Sequence, residues 1–453
     1  MDDPDTSAAT SVRIVRLTID ELFGPGSSPI DIEFKLDHRV TVLHGRNGSG
    51  KTITLKLIEA IQEGRFEVLA QYPLKRLRLD LSDGSSLAFE PRENPENSAE
   101  GAAVWKFEYT IQRIGTTEPL SNIIKNSQPD PLEEFSIQLD IALLKRRLGQ
   151  GSTRQASKPD ADPQRRAREV REKRLAPHRE KHAALCELLD RLPEIKFIKA
   201  DRLFVRTQHS ADPSRENTKE SAPELMVERL SQDIRQHIIE ADRQYRLTST
   251  RLDSSLPKRL FADHGELPSL DELERREIDL RDQTKRLLDV GLLREQPEEI
   301  DRSKLTEDQK KTFFIILQDR EEKLAPFASV ASKAQRLLDS LNRKLAPKSV
   351  RLDVEAGYQV FTANGDALPL DCLSSGEQHE LVLLHELLFE VQPGSLILID
   401  EPELSLHVTW QKDVLPDLLE IAKLAGLDIV LATHSPYIVG DYEDLMVRLG
   451  EPV

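Results

Sequence analysis

Apolar and polar residues alternate in three early stretches: Val12-Arg13-Ile14-Val15-Arg16-Leu17-Thr18-Ile19, Ile30-Asp31-Ile32-Glu33-Phe34 and Val40-Thr41-Val42-Leu43. That period of two predicts strands, and the turn-like Gly24-Pro25-Gly26-Ser27-Ser28-Pro29 separates the first two. After Thr52 the spacing lengthens, with Ile53, Leu55, Leu57, Ile58 and Ile61 three or four apart, which predicts a helix. Strand, glycine-rich loop and helix together outline a mononucleotide-binding unit. Two more strands are expected, at Leu77-Arg78-Leu79-Asp80-Leu81 before the Asp83-Gly84 turn and at Trp105-Lys106-Phe107-Glu108-Tyr109-Thr110-Ile111.

From about residue 130 to 345 the pattern is helical and densely charged. It is interrupted by Gly149-Gln150-Gly151-Ser152-Thr153 and by a Pro-bearing stretch from Ser157 to Pro163. Ile195-Lys196-Phe197-Ile198 stands out as a strand-like island, a return to the first domain's sheet. Leu230, Ile234 and Ile238 recur at four residues and Leu273, Leu280 and Leu287 at seven, which fits the packed core of a helical bundle and a short coiled-coil hairpin alike. Ser269 with Glu272 and Thr306 with Gln309 have capping-box spacing and mark helix starts. The last hundred residues return to α/β texture, with Leu396-Ile397-Leu398-Ile399 and Ile429-Val430-Leu431-Ala432 as continuous apolar runs of the kind buried on both faces of a parallel sheet.

Composition narrows the class. The 453 residues, 38% hydrophobic and 31% charged, suffice for two or three domains or one domain with a large insertion. Sixty-three Lys and Arg against 79 Asp and Glu give a net charge of −16, which argues against coating nucleic acid by bulk electrostatics. Two cysteines, Cys186 and Cys372, are too few for a disulfide framework. With no long apolar run and an acidic N-terminus unlike a signal peptide, the expected setting is cytoplasmic, without membrane contact.

The chemistry is carried by two motifs. Gly45-Arg46-Asn47-Gly48-Ser49-Gly50-Lys51-Thr52 fits the phosphate-loop pattern Gly-x-x-x-x-Gly-Lys-Ser/Thr and sits between a strand and a helix. Its glycines let backbone N–H groups converge on phosphate oxygens at a helix N-terminus, Lys51 is placed to reach the β- and γ-phosphates of ATP, and Thr52 to ligate Mg²⁺. Leu396-Ile397-Leu398-Ile399-Asp400-Glu401 is an apolar strand ending in two acids: Asp400 is placed to hold the Mg²⁺ shell and Glu401 to polarise a water against the γ-phosphate.

Leu373-Ser374-Ser375-Gly376-Glu377-Gln378 precedes that acid strand by about twenty residues, and Thr433-His434-Ser435-Pro436 ends the next one. The order of phosphate loop, helical insertion, Leu-Ser-x-Gly-type signature, Asp-Glu-Pro strand and histidine resembles the ABC-type ATPases of the RecF, SMC and overcoming-lysogenization-defect group. Asp400-Glu401-Pro402-Glu403-Leu404-Ser405-Leu406-His407 with Ala432-Thr433-His434-Ser435-Pro436 is similar to the ATPases of antiphage systems such as PARIS and Septu. The resemblance covers roughly residues 10–115 and 350–445. It implies an α/β P-loop ABC-type head built from both chain ends: residues 1–130 and 346–453, with a helical or coiled-coil insertion over 131–345 that includes a return strand near 195–204. It also implies a head-to-tail homodimer, or a higher oligomer built on it, in which Ser374, Ser375, Gly376 and Glu377 face the γ-phosphate of ATP held by the other subunit. His434 takes the place of the histidine that senses that phosphate, and Ser405, Leu406 and His407 that of the D-loop. The segment from Ile198 to Phe204 resembles one common in such ATPases, which makes Arg202 a candidate near nucleotide. The family's loop glutamine is left open between Gln71 and Gln138. Relatives with a Toprim nuclease carry it after this point, and the 17 residues beyond Pro436 leave no room for one, so a separate nuclease effector chain is expected.

One local feature runs against the overall charge. Residues 145–181 hold 13 Lys and Arg against 5 Asp and Glu, and Arg165, Arg166, Arg168, Arg171, Lys173 and Arg174 fit a stripe on DNA phosphates, a solvated helix face or a dock for an acidic partner. The leading expectation is an ATPase switch of an antiphage system that controls a separate effector. The alternative is a DNA-clamping repair or chromosome-maintenance ATPase of the RecF or SMC kind.

Overall fold

The computed structural model describes residues 12–92, 106–113, 119–125, 163–198, 226–262, 267–293, 307–406 and 408–450. Its first half contains β1 (Ile14–Asp20), β2 (Ile30–Glu33), β3 (Val40–Gly45), helices α1 (Lys51–Gln62) and α2 (Phe66–Leu69), then β4 (Arg76–Leu81), β5 (Ser86–Arg92), β6 (Lys106–Gln112) and β7 (Leu120–Lys125). Next come α3 (Pro163–Arg179), α4 (Ala183–Arg191), β8 (Ile195–Ile198) and the long helices α5 (Met226–Phe261), α6 (Leu270–Asp289) and α7 (Glu307–Leu345). The chain closes with β9 (Ser349–Asp353), β10 (Gly357–Phe361), β11 (Ala367–Leu368), α8 (Ser375–His385), β12 (Leu396–Asp400), α9 (Val408–Ala425), β13 (Asp428–Thr433), α10 (Pro436–Val439) and β14 (Met446–Leu449).

The described residues form three sheets. Strands β2, β1, β4, β5, β6 and β7 lie in that order in an antiparallel sheet, and β11, β10 and β9 form a small antiparallel one. The third runs β14, β3, β13, β12, β8 with every pair parallel, so strands from both ends of the chain share one sheet with the island at residue 195 on its edge. The fold is thus α/β, with a parallel sheet assembled from both ends of the chain and a long helical insertion between them.

The parallel sheet is a wall between two cores. Because successive side chains point to opposite faces, Leu396, Leu398, Val430, Ala432 and Leu43 join α1 and the six-stranded sheet, whereas Ile397, Ile399, Ile429, Leu431 and Val42 join the long helices, α8 and α9. That double burial is why these strands read as unbroken apolar runs.

In the insertion, α5 and α6 both pack along α7. Leu230, Ile234 and Ile238 of α5, and Leu273, Leu280 and Leu287 of α6, are all buried. At 36 and 39 residues, α5 and α7 extend on the order of 55 Å. Their far ends are joined by charge: Arg259 forms a two-pronged pair with Asp319, and Lys323 reaches Asp253 at 3.0 Å. Ser269 caps α6 by accepting from the Glu272 N–H. Thr306, Gln138, Arg202 and His407 lie outside the described residues.

Where α7 re-enters the head, its last turns carry a buried charge cluster. The Lys344 ammonium, 1% exposed, pairs with Glu380 of α8 and lies 2.7 Å from Asp417 of α9. Asp417 also accepts from Ser340 at 2.7 Å, Arg336 at 2.6 Å and Arg343 at 2.7 Å. Burial alone would raise the Asp417 carboxyl, but the Lys344 charge and the hydrogen bonds from Lys344, Ser340 and Arg343 hold it below the ordinary carboxylate range. Burial likewise opposes the Lys344 charge, and the two acids more than offset it, so its pKa is raised. Asp417 therefore contributes stability that is complete above its unfolded value and lost as pH falls through the lower folded one. Lys344 contributes stability that is complete below its unfolded value and lost as pH rises through the higher folded one. Asp417→Ala is expected to cost about 3–5 kcal/mol in chemical denaturation and to flatten the acid limb of the stability profile. A loss under about 1 kcal/mol would show that the remaining partner, Glu380, satisfies Lys344 alone.

Candidate functional site

Three chain-remote segments leave the parallel sheet at the same edge. β3 runs into the phosphate loop, β12 ends at Asp400, and β13 between them ends at Thr433. The register pairs Asp400 with Ala432 and Thr433 with His44, so their loops converge where α/β sheets bind ligands.

The loop conformation depends on glycine at two places. Gly48 and Gly50 have φ of +82° and +95°, a region that disfavours side chains. Gly50 begins α1 with no side-chain cap and no acid in the first turn, which leaves the first N–H groups free to meet an anion. Gly45 is required for a different reason: a Cβ there would stand 2.6 Å from the Leu449 carbonyl oxygen and 2.8 Å from Ser49 Oγ. Arg46, Asn47 and Gly48 are exposed and Ser49 half-buried.

The Lys51 Nζ donates to the carbonyls of Gly45 at 2.8 Å and Arg46 at 3.1 Å, and lies 3.1 Å from His434 Nδ1. Burial lowers its pKa, opposed by the charges of Glu401, Asp400 and Glu403. Thr52 Oγ1 donates to Asp400 Oδ1 at 3.1 Å. Burial pushes the Asp400 carboxyl up, and the neighbouring Glu401 charge adds to that, against the Thr52 hydrogen bond. A hydroxyl and a carboxylate in contact form a hard-oxygen donor pair, and a buried acid whose charge is disfavoured is relieved by a cation. On both counts Thr52 and Asp400 fit Mg²⁺.

Glu401 adopts φ +46°, ψ +56°, left-handed for a non-glycine residue, at a cost of roughly 1–2 kcal/mol. Its N–H donates to the Ala432 carbonyl at 2.9 Å, and its Oε1 lies 2.8 Å from His434 Nε2. The carboxylate places a proton on Nε2. Nδ1, 2.9 Å from the Gly45 oxygen, accepts from Lys51 when the ring is neutral and donates to Gly45 when it is doubly protonated. His434 therefore bridges Glu401 and the phosphate loop.

The signature segment lies apart. Ser374, exposed, caps α8: its Oγ accepts from the Glu377 N–H at 3.4 Å, and Glu377 Oε2 accepts from the Ser374 N–H at 2.7 Å. The capping box is thus Ser374 with Glu377. The Gln378 side chain donates to the Leu373 carbonyl. Glu377 is buried and also takes Lys348 at 2.9 and 3.0 Å, so it shapes the helix start, while Ser375 is exposed and Gly376 half-buried. Among the described residues no hydrogen bond or ion pair joins Ser374, Ser375 or Gly376 to the Lys51 cluster.

In the described part of the basic stretch, Arg171 donates to the carbonyls of Gln62 and Leu189, Arg174 pairs with Glu63 and Arg168 with Glu194, so these side chains fasten α3 to the end of α1, to α4 and to the segment before β8. Lys173 is exposed. Residues 145–162 lie outside the described residues, and Gln71 is exposed in the turn after α2. Motif reasoning missed Glu403, which accepts from Thr433 Oγ1 at 2.9 Å and from the His434 N–H at 2.7 Å. Its only signal was a third acid within the turn after the strand.

Phosphate loop, acid strand and histidine on one sheet edge define a P-loop nucleotide-binding head of the ABC type. The chain belongs to the family described as "AAA domain, putative AbiEii toxin, Type IV TA system", whose model matches residues 208–440. That span holds Asp400, Glu401 and His434, and the phosphate loop precedes it. The "Retron Ec83 probable ATPase" of Escherichia coli is 27% identical over 148 residues, covering 30% of this chain and 26% of that protein, so the chain matches about a quarter of that relative's length. Among solved structures, the Smc head domain with an extended coiled coil from Pyrococcus furiosus aligns over 94% of this chain and 91% of that one, with 14% identity and a TM-score of 0.34. The SMC head domain from Thermotoga maritima aligns over the same shares with 12% identity and a TM-score of 0.31. No helix among the described residues is long and apolar enough to cross a membrane.

Gly45→Ala is expected to displace the Leu449 carbonyl and weaken binding of a fluorescent ATP analogue by about tenfold or more, ~1.4 kcal/mol, in an equilibrium titration. Unchanged affinity would show that the contact between β14 and the loop has no bearing on the site.

Proposed function

We propose that this chain binds and hydrolyses ATP to ADP and phosphate, and that it serves as the switch subunit of an antiphage defence complex that controls a separate effector, a nuclease in the leading reading. The observation that carries the ATPase reading is the convergence of Lys51, Thr52, Asp400, Glu401 and His434 on one sheet edge. The defence reading is supported by the toxin–antitoxin description of the family and by the retron relative.

In this arrangement the free N–H groups at the start of α1 and the Lys51 ammonium bind the phosphates. Thr52 and Asp400 would hold Mg²⁺, which neutralises phosphate charge when bound. Glu401 accepts a proton from the attacking water as general base, and His434, bonded to its Oε1, orients that carboxylate. Phosphate oxygens in this position would exchange the Lys51 contacts with the Gly45 and Arg46 carbonyls for stronger charge-assisted ones. The exposed start of α8 at Ser374 supplies the second face of a head-to-tail homodimer with ATP between the subunits, and hydrolysis reopens it.

Glu401→Gln keeps the shape of the side chain and removes the base, so it is expected to bind ATP, not hydrolyse it, and double its solution mass by light scattering when Mg-ATP is added. A monomer with and without Mg-ATP would overturn the sandwich dimer. The trapped form then serves as bait: a stoichiometric partner nuclease supports the defence switch, whereas ATP-dependent DNA binding by the chain alone supports the DNA-clamping alternative.

A further inference from the structure

We propose that Glu403 is a positioning residue that fixes the His434 loop for catalysis, an inference that rests on the ATPase reading above. Pro402 turns the chain immediately after the left-handed Glu401, and the short helical turn Pro402–Ser405 carries the Glu403 side chain back across the end of β13. Oε1 there takes two donors at once, Thr433 Oγ1 and the His434 N–H. The second donor belongs to the residue whose ring bridges Glu401 and Lys51, so holding that amide holds the point from which the imidazole is aimed.

The contact extends further. Thr433, fully buried, gives its hydroxyl proton to Glu403 and accepts the Ser435 N–H at 3.0 Å. Ser435 in turn donates to Gln411 Oε1 of α9 at 2.6 Å and caps α10 by accepting from Tyr437 N at 3.2 Å. A continuous set of hydrogen bonds thus runs from the acid turn through the histidine loop to two helices, with Glu403 at its catalytic end.

The form of the burial favours a functional reason. Glu403 Oε2 is buried with no hydrogen-bond partner among the described residues, an expensive arrangement for a carboxylate. An uncharged acceptor would cap Thr433 and His434 at lower cost. One carboxylate, Glu401, is thus left for water, while the other fixes the histidine that aims it.

The test compares steady-state ATP hydrolysis and backbone hydrogen exchange over residues 433–435 in the full chain for Glu403→Ala, Glu403→Gln and Thr433→Val. Glu403→Ala is expected to lower kcat by on the order of 10–100-fold with KM for ATP unchanged, the mark of misaimed chemistry with intact binding. It should also speed exchange at His434. Glu403→Gln keeps an acceptor oxygen and is expected to restore most of kcat and the slow exchange. Thr433→Val removes one of the two donors, should fall between them, and carries the test if the alanine variant does not fold. Wild-type kcat in Glu403→Ala, or a glutamine variant as impaired as alanine with unchanged exchange, would overturn the positioning role. Failure of the unmodified chain to hydrolyse ATP would sink the ATPase reading instead, and exchange would then decide alone: faster exchange in alanine but not in glutamine supports the clamp on His434, and equal exchange in all variants refutes it.

Discussion

The structure depends on one strand being buried on both faces between two others. β13 lies between β3, which opens into the phosphate loop, and β12, which ends in the paired acids, and its side chains alternate between two separate cores. Parallel strands share a direction, so all their exits lie on one edge. Once Ile429, Leu431, Val430 and Ala432 are committed to opposite cores, a one-residue slip would swap the cores each faces. The meeting of Lys51, Asp400, Glu401 and His434 is therefore fixed by apolar packing of the strands that lead into it.

Much of this was legible in the chain because the relevant signals are local. The phosphate loop, the apolar strand before Asp400 and Glu401, and the strand at 195–198 each announce themselves by period or by spacing. What could not be read depends on partners distant in sequence. Nothing about Arg171 or Arg174 shows that Gln62, Leu189 and Glu63 await them. Glu403 escaped for the same reason: its partners stand thirty residues on, across the sheet edge.

Charge has two distinct uses here. At the far end of the insertion, pairs such as Lys323 with Asp253 fasten helix to helix near solvent. Inside the head, Lys344 with Glu380 and Asp417 joins the last turn of α7 to the helix opened by Ser374 and to the helix after the acid turn. Apolar contacts would hold those three helices together without fixing one relative position. Ions sequestered from water do fix it, because displacement of any one leaves the others unpaired at low dielectric.

The same sheet also sets an order of events during synthesis. β3 and the phosphate loop are synthesised before their neighbours β13 and β14, which come almost four hundred residues later, and the Leu449 carbonyl packs against Gly45 only then. Closing so long a loop makes sheet assembly a late and slow step. The phosphate-loop sequence is thus made long before the wall that shapes it, so the loop takes its final form only when strands almost four hundred residues further on have joined the sheet.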